Sequence, residues 1–312
     1  MLRPPDNPPL TGPDDTAESP AALRLHQVAV PFPAGERLAG HVLAGFNSDE
    51  GVRRNHGRPG AAGGPGAIRE QLGRLAAHGS GPLYDAGDVI CTGGDLEGAQ
   101  RELGGLVSSI LDTGAVPVVL GGGHEVALGT YLGIAAHLAS HPEGHVRLAV
   151  VNLDAHLDLR DQPQASSGTP FLEMSRAAAG TGAAFSYFCL GIARASNTAA
   201  LLQTAAEIGA TYLEDTELQS VPAGLLSGII GGFDRIYLSV DLDVLPGSVM
   251  PAVSAPAALG VSPAVVLKII ERLARSGKLI AADFAELNPL FDRDHQGARL
   301  AARLVHSLLG AI

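Results

Sequence analysis

Six residues in three short motifs carry the chemistry that this sequence offers. Asp154, His156 and Asp158 stand at i, i+2 and i+4 within Val150-Val-Asn-Leu-Asp-Ala-His-Leu-Asp-Leu-Arg160. In extended backbone alternate side chains share a face, so two carboxylates and an imidazole point the same way. At the end of a run apolar enough to be a strand buried on both faces, such a group repels itself and desolvates badly unless a cation compensates. A hard divalent metal is the usual compensation. The plain alternative is a polar loop whose side chains cap the next element. Two further motifs weigh against it: Gly121-Gly-Gly-His124-Glu follows the apolar run 116–120, and Asp241-Leu-Asp243 follows 235–240, again at i, i+2. Two imidazoles and four carboxylates then gather at three strand ends. Four negative charges match two divalent cations better than one, and oxygen-rich ligation with some imidazole suits manganese more than zinc.

For the motifs to converge, their strands must lie side by side. Strand candidates at 41–46, 84–90, 116–120, 148–153, 186–192, 235–240 and 279–284 alternate with helical patterns. The helices begin near Pro65 and continue at 95–113, 126–139, 172–179, 197–208, 263–276 and 296–309. This alternation predicts an α/β fold, a mainly parallel sheet with helices on both faces, in which ligands collect at the carboxyl ends of the strands. Residues 1–20, rich in Pro, Asp and Thr, read as a mobile tail, and 21–312 as a single catalytic domain, because no polar linker interrupts the alternation. The Gly-rich stretch 48–69 has neither a Gly-Lys-Ser/Thr ending nor a dinucleotide fingerprint, so a pocket-mouth loop is the better reading.

Composition bounds the partners. A chain of 312 residues, 46% hydrophobic and with a mean hydropathy of +0.20, can bury a sizeable core. A net charge of -11 without a basic cluster argues against nucleic acid or an anionic membrane. The only two cysteines, Cys91 and Cys189, lie in or beside apolar stretches and read as buried thiols. A proline-rich start where a signal peptide needs an apolar segment, and no apolar run long enough to span a bilayer, point to the cytoplasm.

The three motifs together resemble the signatures of the ureohydrolases, the family of arginases, agmatinases and formimidoylglutamases. The resemblance runs from about Gly45 to Leu309 and implies an arginase-like three-layer α/β/α fold. It also implies two Mn2+ per chain held by His124, Asp154, His156, Asp158, Asp241 and Asp243, and a homo-oligomer. Three departures from the arginase pattern are similar to the formimidoylglutamase branch. Arg160 stands where arginases have Asn, and Ser166-Ser-Gly-Thr-Pro-Phe171 puts Phe171 at the place of their proton-shuttling histidine. The stretch 191–197 lacks the acidic residues that hold a substrate ammonium, and the loop 245–260 is not Gly-Thr-rich. Residues 49–55 and 285–289 resemble the same branch.

That resemblance implies hydrolysis of N-formimidoyl-L-glutamate to L-glutamate and formamide, a step of histidine degradation, by a hydroxide shared between the metals. The substrate chemistry agrees: a small acidic amidine with two carboxylates wants arginine in its pocket, whereas arginine and agmatine want carboxylates there. Arg160 and Arg194, both just beyond strand ends, are the candidates for substrate binding, with Ser167; Arg53 and Arg54 are weaker ones. Glu286, at the end of the last strand, matches the family's guanidinium-binding glutamate and is expected to hold the amidinium. Asp158 is expected to relay a proton to the leaving amine. His295 could approach the site or lie in a surface turn, and His141 with His145 reads as a solvated loop. Two alternatives stay open: another ureohydrolase (agmatinase, arginase or guanidino-acid hydrolase), and a non-catalytic regulatory relative.

Overall fold

Short apolar runs, too short for helices and bounded by glycine and polar residues, pair into one sheet in the computed structural model, which describes residues 1–5, 10–78, 81–141 and 146–311. In chain order the strands are β1 (Leu2–Arg3), β2 (Ala29–Pro31), β3 (His41–Asn47), β4 (Leu83–Ile90), β5 (Val116–Leu120), β6 (Leu148–Leu153), β7 (Ser186–Ile192), β8 (Thr211–Glu214), β9 (Arg235–Asp241) and β10 (Leu279–Ala285). Across the sheet they run β1-β4-β3-β5-β10-β9-β6-β7-β8, with β2 beside β1 on the outer edge of β4. Among the described residues every pairing is parallel except that of β1 with β4.

The helices are α1 (Leu25–Val28), α2 (Glu50–Arg54), α3 (Gly64–Leu72), α4 (Leu96–Thr113), α5 (Val126–Ser140), α6 (Pro170–Thr181), α7 (Ala199–Glu207), α8 (Ala223–Gly232), α9 (Pro263–Ala274) and α10 (Gln296–Leu309). On one face of the sheet Ile68, Leu226, Ile269 and Leu304 from α3, α8, α9 and α10 pack on Val118 and Leu238. On the other, Leu103, Ile134, Phe171 and Leu201 from α4 to α7 pack on Val119 and Tyr237. The result is the expected three-layer α/β/α arrangement. Local chemistry sets the helix limits. The Asp95 carboxylate accepts from Gly98 N at 2.9 Å to start α4, and Gly114, left-handed at φ 96°, stops it. Ser262 caps α9, with Pro263 in its first turn.

Three departures from expectation have local causes. Within the stretch read as a mobile tail, Leu2 and Arg3 pair with Val89 and Asp88 and Leu10 is buried, while most of its other described residues are exposed. The outer edge of β4 offers unpaired backbone groups that two residues can cap, and Pro4 and Pro5, lacking N–H groups, end the pairing. Beyond β7, β8 and α8 occupy a stretch with no strong periodicity: β8 is a four-residue edge strand, and α8 has glycine at 224, 228, 231 and 232. Among the described residues no helix is long and apolar enough to cross a membrane.

Candidate metal centre

The central strands β5, β6, β9 and β10 are adjacent and deliver their last residues to one pole of the sheet. After β5 the three glycines lie against neighbouring backbone: Gly121 N donates to Phe284 O at 2.7 Å and Gly123 N to Ser48 O at 2.9 Å, while Glu286 N donates to Gly122 O at 2.7 Å. A Cβ on Gly122 would stand 1.7 Å from Ser48 O, so this approach, which carries His124 into the centre, requires glycine. Asp158 and Glu286 hold left-handed backbone at φ 48° and 74°, conformations that non-glycine residues adopt at a cost and that cluster at functional sites.

All six candidate ligands converge. His124 Nδ1 lies 2.9 Å from Asp158 Oδ2, 3.1 Å from Asp154 Oδ2 and 3.2 Å from Asp241 Oδ2. His156 Nδ1 lies 2.8 Å from Asp243 Oδ2 and 3.6 Å from Asp154 Oδ1. Two ligand groups result, His124 with Asp154, Asp158 and Asp241, and Asp154 with His156 and Asp243, in each of which the offered atoms lie within 4.8 Å of one another. Asp154, fully buried, belongs to both and presents a different oxygen to each.

The electrostatics fit a pair of cations. The Asp243 carboxylate, against the effect of burial, pushes His156 up to about 12. Burial opposes charging His124, but its hydrogen bonds to Asp154 and Asp158 raise it well above the ordinary imidazole range. Burial, then repulsion from Asp154, pushes Asp158 up to about 6, and burial with repulsion from Asp243 raises Asp241 far above a normal carboxylate. Burial opposes ionisation of Asp154 as well, yet hydrogen bonds to His124 and His156 hold it low. Protons thus supply positive charge that a buried cluster of four carboxylates needs and that two divalent ions supply more fully.

Outer residues orient these ligands. His124 Nε2 lies 2.9 Å from Ser239 Oγ, which donates to Asp283 Oδ1 at 2.6 Å, and the Tyr237 hydroxyl donates to the other Asp283 oxygen. Asn152 Nδ2 donates to Asp154 Oδ2 at 2.9 Å. The Asn197 side chain pins the Asp154–Asp158 turn, accepting from Leu157 N at 2.9 Å and donating to Ala155 O at 3.0 Å. Phe171 sets its ring edge-on to His124 with centroids 5.3 Å apart and stacks on Tyr187, forming an apolar wall behind the ligands.

A cavity of about 240 Å³ opens from the ligand cluster and is bounded by Asn55, His56, Arg160, Ser167, Ser254 and Glu286. Glu286 Oε1 accepts from His124 N at 3.0 Å, whereas Oε2 is buried without a hydrogen-bond partner. Burial pushes Glu286 up to about 7, against the opposing effect of the nearby Ser254 hydroxyl. Arg160 is exposed at the mouth, its side chain lying over Gly168, where a Cβ would stand 2.7 Å from Arg160 Cδ. Ser167 Oγ accepts from Asn55 Nδ2 at 3.1 Å. The Gly-rich loop does line the mouth, held there by Glu125, whose Oε1 accepts from Ser48 Oγ and Gly51 N at 2.9 Å, and by Asn288, which donates to Arg58 O and Pro59 O.

Not every predicted residue reaches the cavity. Arg194 turns outward and pairs with Glu214 at 2.8 Å, because the turn Arg194–Ser196 faces the edge strand β8 rather than the centre. Arg53 pairs with Glu50, and Arg54 with Glu50 and Glu97, so both fasten α2 instead of facing the cavity. His295 lies exposed in a surface turn, and His145 lies outside the described residues. Cys189 is buried, Cys91 half-buried, and both are free thiols. Conversely, Asn55 and His56 line the cavity without having been singled out as candidates. Ser239 and Asp283 were missed too, although Tyr237, Ser239 and Asp241 at alternate positions form a polar row on one face of an otherwise apolar strand.

Comparison with known proteins agrees with this geometry. The Arginase family model matches residues 39–310. The chain is 49% identical over 310 residues to the formimidoylglutamase of Cupriavidus pinatubonensis, covering 97% of this chain and 98% of that one. It is 48% identical over 302 residues to the formimidoylglutamase of Chromobacterium violaceum, covering 96% of each. The crystal structure of Trypanosoma cruzi formiminoglutamase with Mn2+2 superposes with a TM-score of 0.78 at 29% identity, over 92% of this chain and 97% of that one. The chain belongs to the arginase family.

Proposed function

We propose that the protein hydrolyses N-formimidoyl-L-glutamate to L-glutamate and formamide, with two manganese ions as cofactor. The observation that carries this reading is the polarity of the cavity. Glu286, whose Oε2 is buried without a hydrogen-bond partner, lines the cavity's inner end with the ligand cluster; at its mouth stand Arg160 and Ser167. A substrate with a cationic amidinium at one end and two carboxylates at the other matches that order, whereas agmatine, cationic at both ends, does not. The formimidoylglutamases at close to half identity over nearly the whole chain, and the manganese-bound relative from Trypanosoma cruzi, support the same assignment.

In this reading His124, Asp154, Asp158 and Asp241 hold one ion, and Asp154, His156 and Asp243 the other. When bound, such a pair supplies Lewis acidity that makes water nucleophilic near neutral pH. Glu286 accepts hydrogen bonds from the amidinium N–H groups, stabilises its charge and turns its carbon towards the ligand cluster. Arg160 and Ser167 bind the glutamate carboxylates. Asp158, at the cavity wall, passes the proton given up by the attacking water to the glutamate nitrogen as its bond to the formimidoyl carbon breaks. The carbon keeps its other nitrogen and the oxygen from water, leaving as formamide. Arg194 has no part in this account. Assembly as a homo-oligomer in the cytoplasm belongs to the same proposal and rests on the family resemblance.

The test is hydrolysis of N-formimidoyl-L-glutamate by manganese-loaded protein beside arginine, agmatine and guanidinobutyrate. Glutamate and formamide from the first, with little urea from the others, is the expected result. Urea from a guanidino compound, in the absence of formamide, would overturn the substrate while leaving the metal chemistry in place.

A further inference from the structure

The opposite pole of the sheet carries a second group of metal-ligand side chains. In a parallel α/β fold the helices run back from the strand ends, so the last turns of α4 and α5 lie far from the catalytic cavity. His124 precedes α5 and His137 sits near its end, and at about 1.5 Å of rise per residue the two are roughly 20 Å apart. His137, in α5's final turn, and His141, the residue that caps the helix's C-terminal end, stand side by side, with ring centroids 4.6 Å apart and planes tilted by 35°. Asp112 in the last turn of α4 faces both: its Oδ1 lies 2.6 Å from His137 Nδ1 and 3.8 Å from His141 Nδ1.

A hydrogen bond between neighbouring helices accounts for His137 and Asp112. His141 is held otherwise: its Nδ1 lies 3.1 Å from His137 O at the helix end, and this sets its ring beside that of His137 and turns the same nitrogen to within 3.8 Å of Asp112 Oδ1. One ligand atom from each of the three lies within 4.8 Å of the others. Asp112 and His141 are about half exposed, so their side chains can open the short Asp112–His137 contact to the separation that ligands of one ion need. Both helices also end here, and their carbonyl termini favour positive charge.

We propose that Asp112, His137 and His141 form a surface metal site distinct from the catalytic centre, one that ties the ends of α4 and α5 together. Two imidazoles and a single carboxylate, with open positions left for water, select late first-row ions such as Ni2+, Cu2+ or Zn2+ over manganese. The two sites therefore differ in preference: the carboxylate-rich centre keeps manganese while the surface site takes the imidazole-seeking ion.

The experiment is equilibrium dialysis of the manganese-loaded holoenzyme against micromolar Ni2+ near neutral pH, with both metals counted by elemental analysis. One Ni2+ per chain, bound while the manganese content is unchanged, is expected. Asp112→Asn and His141→Ala, on the surface and away from the catalytic cavity, should each weaken Ni2+ binding by an order of magnitude or more and leave manganese content as it was. Ni2+ should also raise the melting temperature of the unsubstituted protein and not that of either variant. Nickel that enters only by displacing manganese, nickel binding unaffected by both substitutions, or no nickel bound at millimolar concentration would each overturn the proposal.

Discussion

His124 Nε2 stands 2.9 Å from the Ser239 hydroxyl, across β10 in the middle of the sheet. Since Ser239 gives its one proton to Asp283, it accepts from His124 Nε2, which leaves Nδ1 towards Asp154, Asp158 and Asp241. A fully buried carboxylate thereby sets the direction of a candidate metal-ligand imidazole through one hydroxyl. Asp283→Asn preserves shape and removes the charge. Manganese affinity should fall about 10- to 100-fold, the range found when partners of this kind are lost. Isothermal titration of metal-free protein reads the change directly; unchanged affinity would limit Asp283 to packing.

Because Asp154 belongs to both ligand groups and His156 to only one, their substitutions should differ in stoichiometry. Asp154→Ala should lower manganese from two ions per chain to less than one, and His156→Ala to about one. Elemental analysis after dialysis distinguishes the outcomes. Equal losses from both variants would argue against a shared carboxylate.

Arg160 and Arg194 form a matched pair for testing substrate recognition. Loss of a charge-assisted contact to a carboxylate costs about 1.5–3 kcal/mol, so Arg160→Ala should raise KM for N-formimidoyl-L-glutamate about 10- to 100-fold and change kcat little. Arg194→Ala, which removes only an exposed pair with Glu214, should leave both constants unchanged. A larger effect from Arg194 than from Arg160 would reverse the orientation assigned to the substrate.

His41 starts β3 with its ring buried, and burial lowers its pKa to about 4 from an ordinary value near 6.5. Between those values the unfolded chain binds the proton and the folded chain does not. Stability contributed by the neutral ring is therefore complete above pH 6.5 and is lost as pH falls towards 4, by about 3 kcal/mol in total. His41→Leu should flatten the fall in melting temperature across that window relative to the unsubstituted protein. An unchanged slope would assign the acid sensitivity to other groups.

The parts of the fold and site that were legible in the sequence are those where burial writes itself into residue type. β5, β6, β7 and α10 begin and end as their apolar patterns indicate, because strands buried on both faces and amphipathic helices leave continuous or periodic signals. The six candidate ligands stood out because carboxylates at strand ends have no ordinary reason to gather. Direction was not legible. Arg160 and Arg194 both follow strand ends, yet one stands at the mouth of the cavity and the other turns away to Glu214. Ser239 and Asp283 were obscured for another reason: their pairing depends on the β9–β10 register, which places Asp283 opposite Ser239. Asn55 and His56 lie in a loop whose course depends on Glu125 and Asn288, far away in sequence.

β10 is the last strand to be made, yet it lies between β5 and β9. Until residues 279–285 leave the ribosome, β5 and β9 lack the strand that joins them, and any sheet formed around either has an open apolar edge. The edges that later enclose the metal ligands are in that interval the surfaces most prone to pair with another chain. The strand that brings Glu286 also joins the part of the sheet bearing His124 to the part bearing Asp154 and Asp241, so catalytic competence and protection from aggregation are acquired in a single late step of biosynthesis.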